Sequence, residues 1–164
     1  MPGFVDQLPA LLGVVVGAAG SYLATSQTEK ARWKRQHSTR WDEERRKAYA
    51  EYAHALKNVA SISSRLAKMR GYVDGRFEDV DIDTGLVELA RLTAERAAKW
   101  ESVLLLGSRE TIDAGREWNT IIFDLSDFAS GNRRTTPAEW DECYRAAGAA
   151  RDRFYECARK DLEV

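Results

Sequence analysis

The sequence predicts an all-α protein, with an N-terminal transmembrane helix followed by a cytoplasmic helical bundle of about four helices. Three observations carry this. Residues 8–24, LPALLGVVVGAAGSYLA, contain no charged side chain. The three prolines stand at positions 2, 9 and 137, so the long middle of the chain lacks the residue that most effectively breaks a helix. Beyond the apolar run, apolar residues recur at alternating steps of three and four, the period of a helix with one buried face.

The apolar run, extended by Phe4, Val5 and Thr25, is long enough for a thin or modestly tilted membrane crossing. A buried soluble helix and a cleaved signal peptide are the competing readings, but signal peptides carry positive charge ahead of the apolar core, where this chain has only Asp6. The basic residues follow it instead: Lys30, Arg32, Lys34, Arg35 and Arg40 against Glu29. By the positive-inside rule this flank stays in the cytoplasm and the N-terminus is carried across. Gly13, Gly17 and Ser21 recur every fourth residue, placing small side chains on one face where a second helix can approach, the basis for expecting a homodimer.

The expected organisation is an anchor at 1–25, a basic juxtamembrane stalk at 26–47 and a bundle at 48–164. Charge supports the division. Residues 26–70 hold 12 Lys/Arg against 5 Asp/Glu, whereas residues 71–164 hold 13 against 20, although the whole chain nets only −1. Lys30, Arg32, Trp33, Lys34 and Arg35 are the expected membrane-surface residues. Cations and tryptophan just past a crossing sit at headgroup level and attract the anionic inner leaflet, by about 1 kcal/mol per charge. The same mixture of basic residues and tryptophans can bind nucleic acid. The adjacent apolar run makes lipid the simpler partner, and no nucleic acid is expected.

The first soluble helix is expected to bury Tyr49, Tyr52, Leu56, Val59, Ser63 and Leu66, with Ala48, Ala55, Ile62 and Met69 widening that face. This spacing also suits a coiled-coil seam. Ser38 and Thr39, with Asp42, offer a weak cap where the stalk breaks. Gly71 to Gly75 ends the helix, and an acidic connection leads to a second, from about Gly85 to Leu106, with Leu86, Leu89, Ala90, Ala97, Trp100 and Leu104 inward. Gly107 closes it, and Ser108 caps a third helix carrying Ile112, Trp118, Ile122, Leu125 and Phe128 to Ser130-Gly131-Asn132. Thr136-Pro137-Ala138-Glu139 is the sharpest start signal, a capping box with proline at the first helical position, opening a helix to about Leu162.

Chemistry-bearing constellations are absent from the sequence. Asp79-Val-Asp81-Ile-Asp83-Thr-Gly85 resembles the start of a calcium loop, but its glycine falls seventh instead of sixth and Ala90 stands where a bidentate glutamate is required. His37 and His54 lie 17 residues apart and cannot converge within a subunit if the helical stretch is continuous between them. Cys143 and Cys157, 14 residues apart on one helix, are separated by about 21 Å, beyond disulfide reach, and fall on the apolar stripe with Ala147, Ala150 and Phe154. No catalytic, cofactor-binding or metal residue is expected.

The segments ARWKRQHSTRWDEERRKAYAEYAHALK, KWESVLLLGS and RFYECARKDLEV resemble a group of small, uncharacterised actinobacterial single-pass membrane proteins. The resemblance covers most of the chain from Thr25 and implies this layout without implying any chemistry. The functional expectation is a membrane-tethered, non-enzymatic interaction module meeting a protein partner at the inner membrane face. The alternative is a small-molecule-binding bundle using Trp100, Trp118 and Trp140 to line a pocket.

Overall fold

The computed structural model describes residues 41–75 and 77–164, and within them every regular element is helical. Helix α1 is described over 41–69, α2 spans Ile82–Leu106, α3 Arg109–Ser130 and α4 Pro137–Asp161. Glu43–Val164 forms one compact unit. Among the described residues no helix is long and apolar enough to cross a membrane. The anchor at 1–25, with Gly13, Gly17 and Ser21, lies outside the described residues. So do Lys30, Arg32, Trp33, Lys34 and Arg35 and the Ser38–Thr39 cap.

The helices alternate in direction. Arg45 and Glu51 of α1 reach Leu106 and Lys99 of α2, whereas Leu66 lies against Gly85, so these two run antiparallel. Tyr52 meets Gly115, Ser63 meets Ser126 and Arg70 meets Ala129, so α3 runs parallel to α1. Tyr49 meets Asp161 near the end of α4, which returns antiparallel. Antiparallel sequence neighbours, with short connections from α2 to α3 and from α3 to α4 and a longer one from α1 to α2, make this an up-down-up-down bundle.

The terminal signals act as the local sequence dictates. Ser108 accepts from the Thr111 N–H, and Thr136 and Glu139 exchange both bonds of a capping box, with Pro137 supplying its preset φ. Gly131 ends α3 at φ 84, in the left-handed region that glycine enters without steric cost. Arg70 then donates to the Ala129 and Ser130 carbonyls at 2.7 and 2.8 Å, and Arg45 to Leu106 at 3.0 Å. Each places a cation at the negative end of a neighbouring helix.

Tyr49, Tyr52, Leu56, Val59, Ser63 and Leu66 are all buried within this one chain, so the stripe that also suits a coiled-coil seam is occupied by the chain's own helices. Phe154 is the aromatic hub: Tyr52, Trp118 and Tyr49 lie 5.8, 5.7 and 6.0 Å from its ring centroid. Such rings each remove about 150–250 Å² from water.

Three expectations are corrected. Helix α2 begins at Ile82 because Asp81, not a residue near Gly85, caps it by accepting from the Thr84 N–H at 2.9 Å. Its inner face carries Gly85, Leu89, Leu92 and Val103, while Ala90 and Ala97 are exposed. A methyl group contributes little to burial compared with leucine or valine, so the larger side chains set the rotation. Met69, in the last turn of α1, is 42% exposed.

Candidate functional site

One end of the α1–α4 seam differs from its middle. At one end Tyr49, Phe154 and Asp161 close it with bulky side chains. Midway, Ala60 and Ser61 of α1 face Ala147 and Gly148 of α4, and these small residues leave a cleft of about 270 Å³. Trp118 and Ile122 of α3 line it from beneath, both almost fully buried. Phe77, from the α1–α2 connection, and Tyr144 of α4 add aromatic walls, and Lys57 and Arg151 add two cations. A second hollow shares Phe77 and Tyr144 with the first and continues along Val73, Trp140 and Asp141.

The wall bearing Phe77 is held in place by α1. Lys68 Nζ donates to the Phe77 carbonyl at 2.7 Å and pairs with the Asp79 carboxylate at 2.8 Å, while Arg65 Nη2 donates to the Asp79 carbonyl at 3.2 Å. The Lys68 hydrogen bond and charge hold the Asp79 carboxyl below its ordinary range. Lys57 Nζ lies 5.3 Å from the Tyr155 ring centroid, and the described residues place no carboxylate in an ion pair with it. Arg151 pairs with its exposed sequence neighbour Asp152.

Gly148 needs no special backbone, and a Cβ built there meets no atom of the described residues within 4 Å. Gly115 is the opposite case, since a Cβ would stand 2.8 Å from the Trp100 ring. One glycine admits a neighbouring side chain; the other opens onto unfilled space. A helix-interior glycine costs about 1 kcal/mol relative to alanine, so the space at Gly148 is maintained against the helix's own preference.

Two other polar clusters are structural. Asp161 Oδ2 accepts from Tyr49 Oη, Ser108 N and Thr111 Oγ1 at 2.5, 3.0 and 2.9 Å, joining α1, the start of α3 and the end of α4. Burial pushes its carboxyl up, but these bonds outweigh it and the net shift is downward. Arg96, on the inward register of α2, donates to Asn119 Oδ1 and stands 5.5 Å from the Phe123 ring centroid. Burial lowers its pKa, and its Nε has no hydrogen-bond partner among the described residues.

The three tryptophans singled out by sequence divide between roles. Trp118 and Trp140 line the two hollows, whereas Trp100 packs on Tyr52 at 4.8 Å and lines neither. Sequence spacing did not single out Phe77, Lys57, Gly148 or Arg151. The only signal for the last two was a glycine set among alanines in R-A-A-G-A-A-R. Cys143 and Cys157 are half-buried against the core. The Cys143 thiol, facing the Ile121 carbonyl, is pushed up to about 11 by burial and by Asp124, partly offset by Arg133. His54 is exposed, and no group of three His, Cys, Asp or Glu side chains among the described residues is placed to hold a metal.

The cleft therefore offers aromatic surface, two hydroxyls and two cations, a set suited to binding. Comparisons of the chain with family models, curated proteins and solved structures find no match.

Proposed function

We propose that the chain is a membrane-tethered, non-enzymatic interaction module, in which an N-terminal helix holds the four-helix bundle at the inner face of the cell membrane to meet a protein partner. The observation carrying this reading is the uncharged run 8–24 followed by the cationic flank Lys30, Arg32, Lys34 and Arg35, which favours an anionic leaflet. A bundle that buries its own apolar stripes supports it, since such a body needs no lipid to fold. Protease added to intact cells should leave the bundle whole, and digestion should follow only when the cytoplasmic face is opened. Digestion from outside would overturn this topology.

A second reading is favoured by the α1–α4 cleft with Trp118 beneath it, in which the bundle binds a small molecule. Affinity capture of the full chain from membranes separates the two. A specific protein retained with the chain supports the module, whereas no retained protein together with a stabilising metabolite in a thermal-shift screen supports the ligand reading.

A further inference from the structure

We propose that the cleft between α1 and α4 is a binding site for a small apolar acid, a carboxylate- or phosphate-bearing molecule with an aromatic or branched aliphatic body. The proposal rests on the ligand-binding reading and names its ligand class.

Volume, lining and charge converge on this class. About 270 Å³ accommodates a body of one or two rings and is too small for a phospholipid's paired acyl chains. Phe77, Trp118, Ile122 and Tyr144 supply aromatic and aliphatic surface for such a body. Lys57 and Arg151 stand on opposing helices, both lining the same opening. Among the described residues Lys57 has an aromatic ring but no ion-pair partner and Arg151 pairs only with the solvent-exposed Asp152, which leaves both cations available to an anion. Asp141 lies in the adjoining hollow, beyond Phe77 and Tyr144, and disfavours an acid group at that end. The ligand is thereby oriented with its acid toward Lys57 and Arg151 and its apolar body toward Phe77 and Tyr144.

Gly148 adds an independent observation. Its missing side chain would project into open space, so the protein's own packing does not require glycine there. The residue weakens its helix while keeping the cleft open. The Lys68 and Arg65 contacts hold the Phe77 wall in position before any ligand arrives.

The test uses 2-naphthoate and its neutral counterpart 2-naphthamide, measured by equilibrium dialysis. The full chain is placed in phosphatidylcholine nanodiscs, or in plain buffer if it stays dispersed without lipid, and lipid or buffer alone is the reference. Naphthoate should be retained above the reference and more tightly than naphthamide. Lys57→Gln with Arg151→Gln should weaken naphthoate about tenfold and leave naphthamide unchanged. Gly148→Leu should abolish retention of both while keeping the helical circular dichroism spectrum, and Ser61→Trp, blocking the opposite wall at an exposed position, should do the same. Equal retention of both probes, insensitive to the charge substitutions, overturns the acid assignment while leaving a ligand cleft. Retention no greater than the reference, or unchanged by both filling variants, overturns the ligand reading as well.

Discussion

The Tyr49 hydroxyl donates a 2.5 Å hydrogen bond to the Asp161 carboxylate across 112 positions of sequence, tying the first described helix to the end of the last. The same carboxylate oxygen accepts from Ser108 N and Thr111 Oγ1, so one atom serves three segments. Asp161→Ala strands all three donors and should cost about 2–3 kcal/mol, read from the urea midpoint, while Tyr49→Phe should cost about 1 kcal/mol. A loss near zero in Asp161→Ala would make the cluster incidental.

The sign of the pH dependence follows from the downward shift of Asp161. Its contribution is complete above the unfolded carboxyl value of 3.8 and is lost as pH falls through the lower folded value. Urea midpoints measured from pH 6 down to pH 2 should therefore fall less steeply in Asp161→Asn than in the unaltered protein. Identical slopes would contradict this account of the carboxylate.

The packed Gly115 and the open Gly148 should respond oppositely. Gly115→Ala forces a methyl to 2.8 Å from the Trp100 ring and should destabilise by about 1–2 kcal/mol, whereas Gly148→Ala should stabilise by about 1 kcal/mol. Trp118→Ala, removing a side chain only 2% exposed, should cost about 3–5 kcal/mol in the same denaturation measurement. Destabilisation by Gly148→Ala would mean that the cleft is not open at that position.

The termini of α3 and α4 and the α1 and α3 stripes were legible because each rests on local chemistry. Thr136 caps with Glu139, and Trp118, Ile122 and Leu125 repeat at helical spacing whatever lies opposite. The rotation of α2 was less legible, because Ala90 and Ala97 counted as apolar although their methyl groups have little to lose in water. Arg96 at an inward position further interrupts the stripe. The Asp161 cluster and the contacts that hold Phe77 are not legible for a different reason. Their partners include backbone groups and hydroxyls remote in sequence, which no spacing rule brings together. The cleft is likewise a gap between α1 and α4, visible only once both helices are in place.

Cys143 should resist alkylation. With its thiol pushed up to about 11, it is almost wholly protonated at pH 8. Mass spectrometry after timed iodoacetamide treatment should show labelling far slower than that of a free cysteine. Labelling at the free rate would place the thiol in solvent.

Self-association through Gly13, Gly17 and Ser21 is testable in membranes. Gly13→Leu with Gly17→Leu obstructs close helix approach without reducing hydrophobicity, so crosslinked dimer should fall sharply. Unchanged crosslinking would remove this face from the account, and no dimer in the unaltered chain would favour a monomeric anchor.

Carbonate extraction of the full chain beside a shortened chain beginning at Ser38 tests most directly the proposal that a self-sufficient bundle is carried on a separate membrane anchor. The full chain should remain in the membrane pellet. The shortened chain should be released and show a strongly helical circular dichroism spectrum with one cooperative melt. Release of the full chain, or a shortened chain that is disordered or strand-rich, would contradict the account.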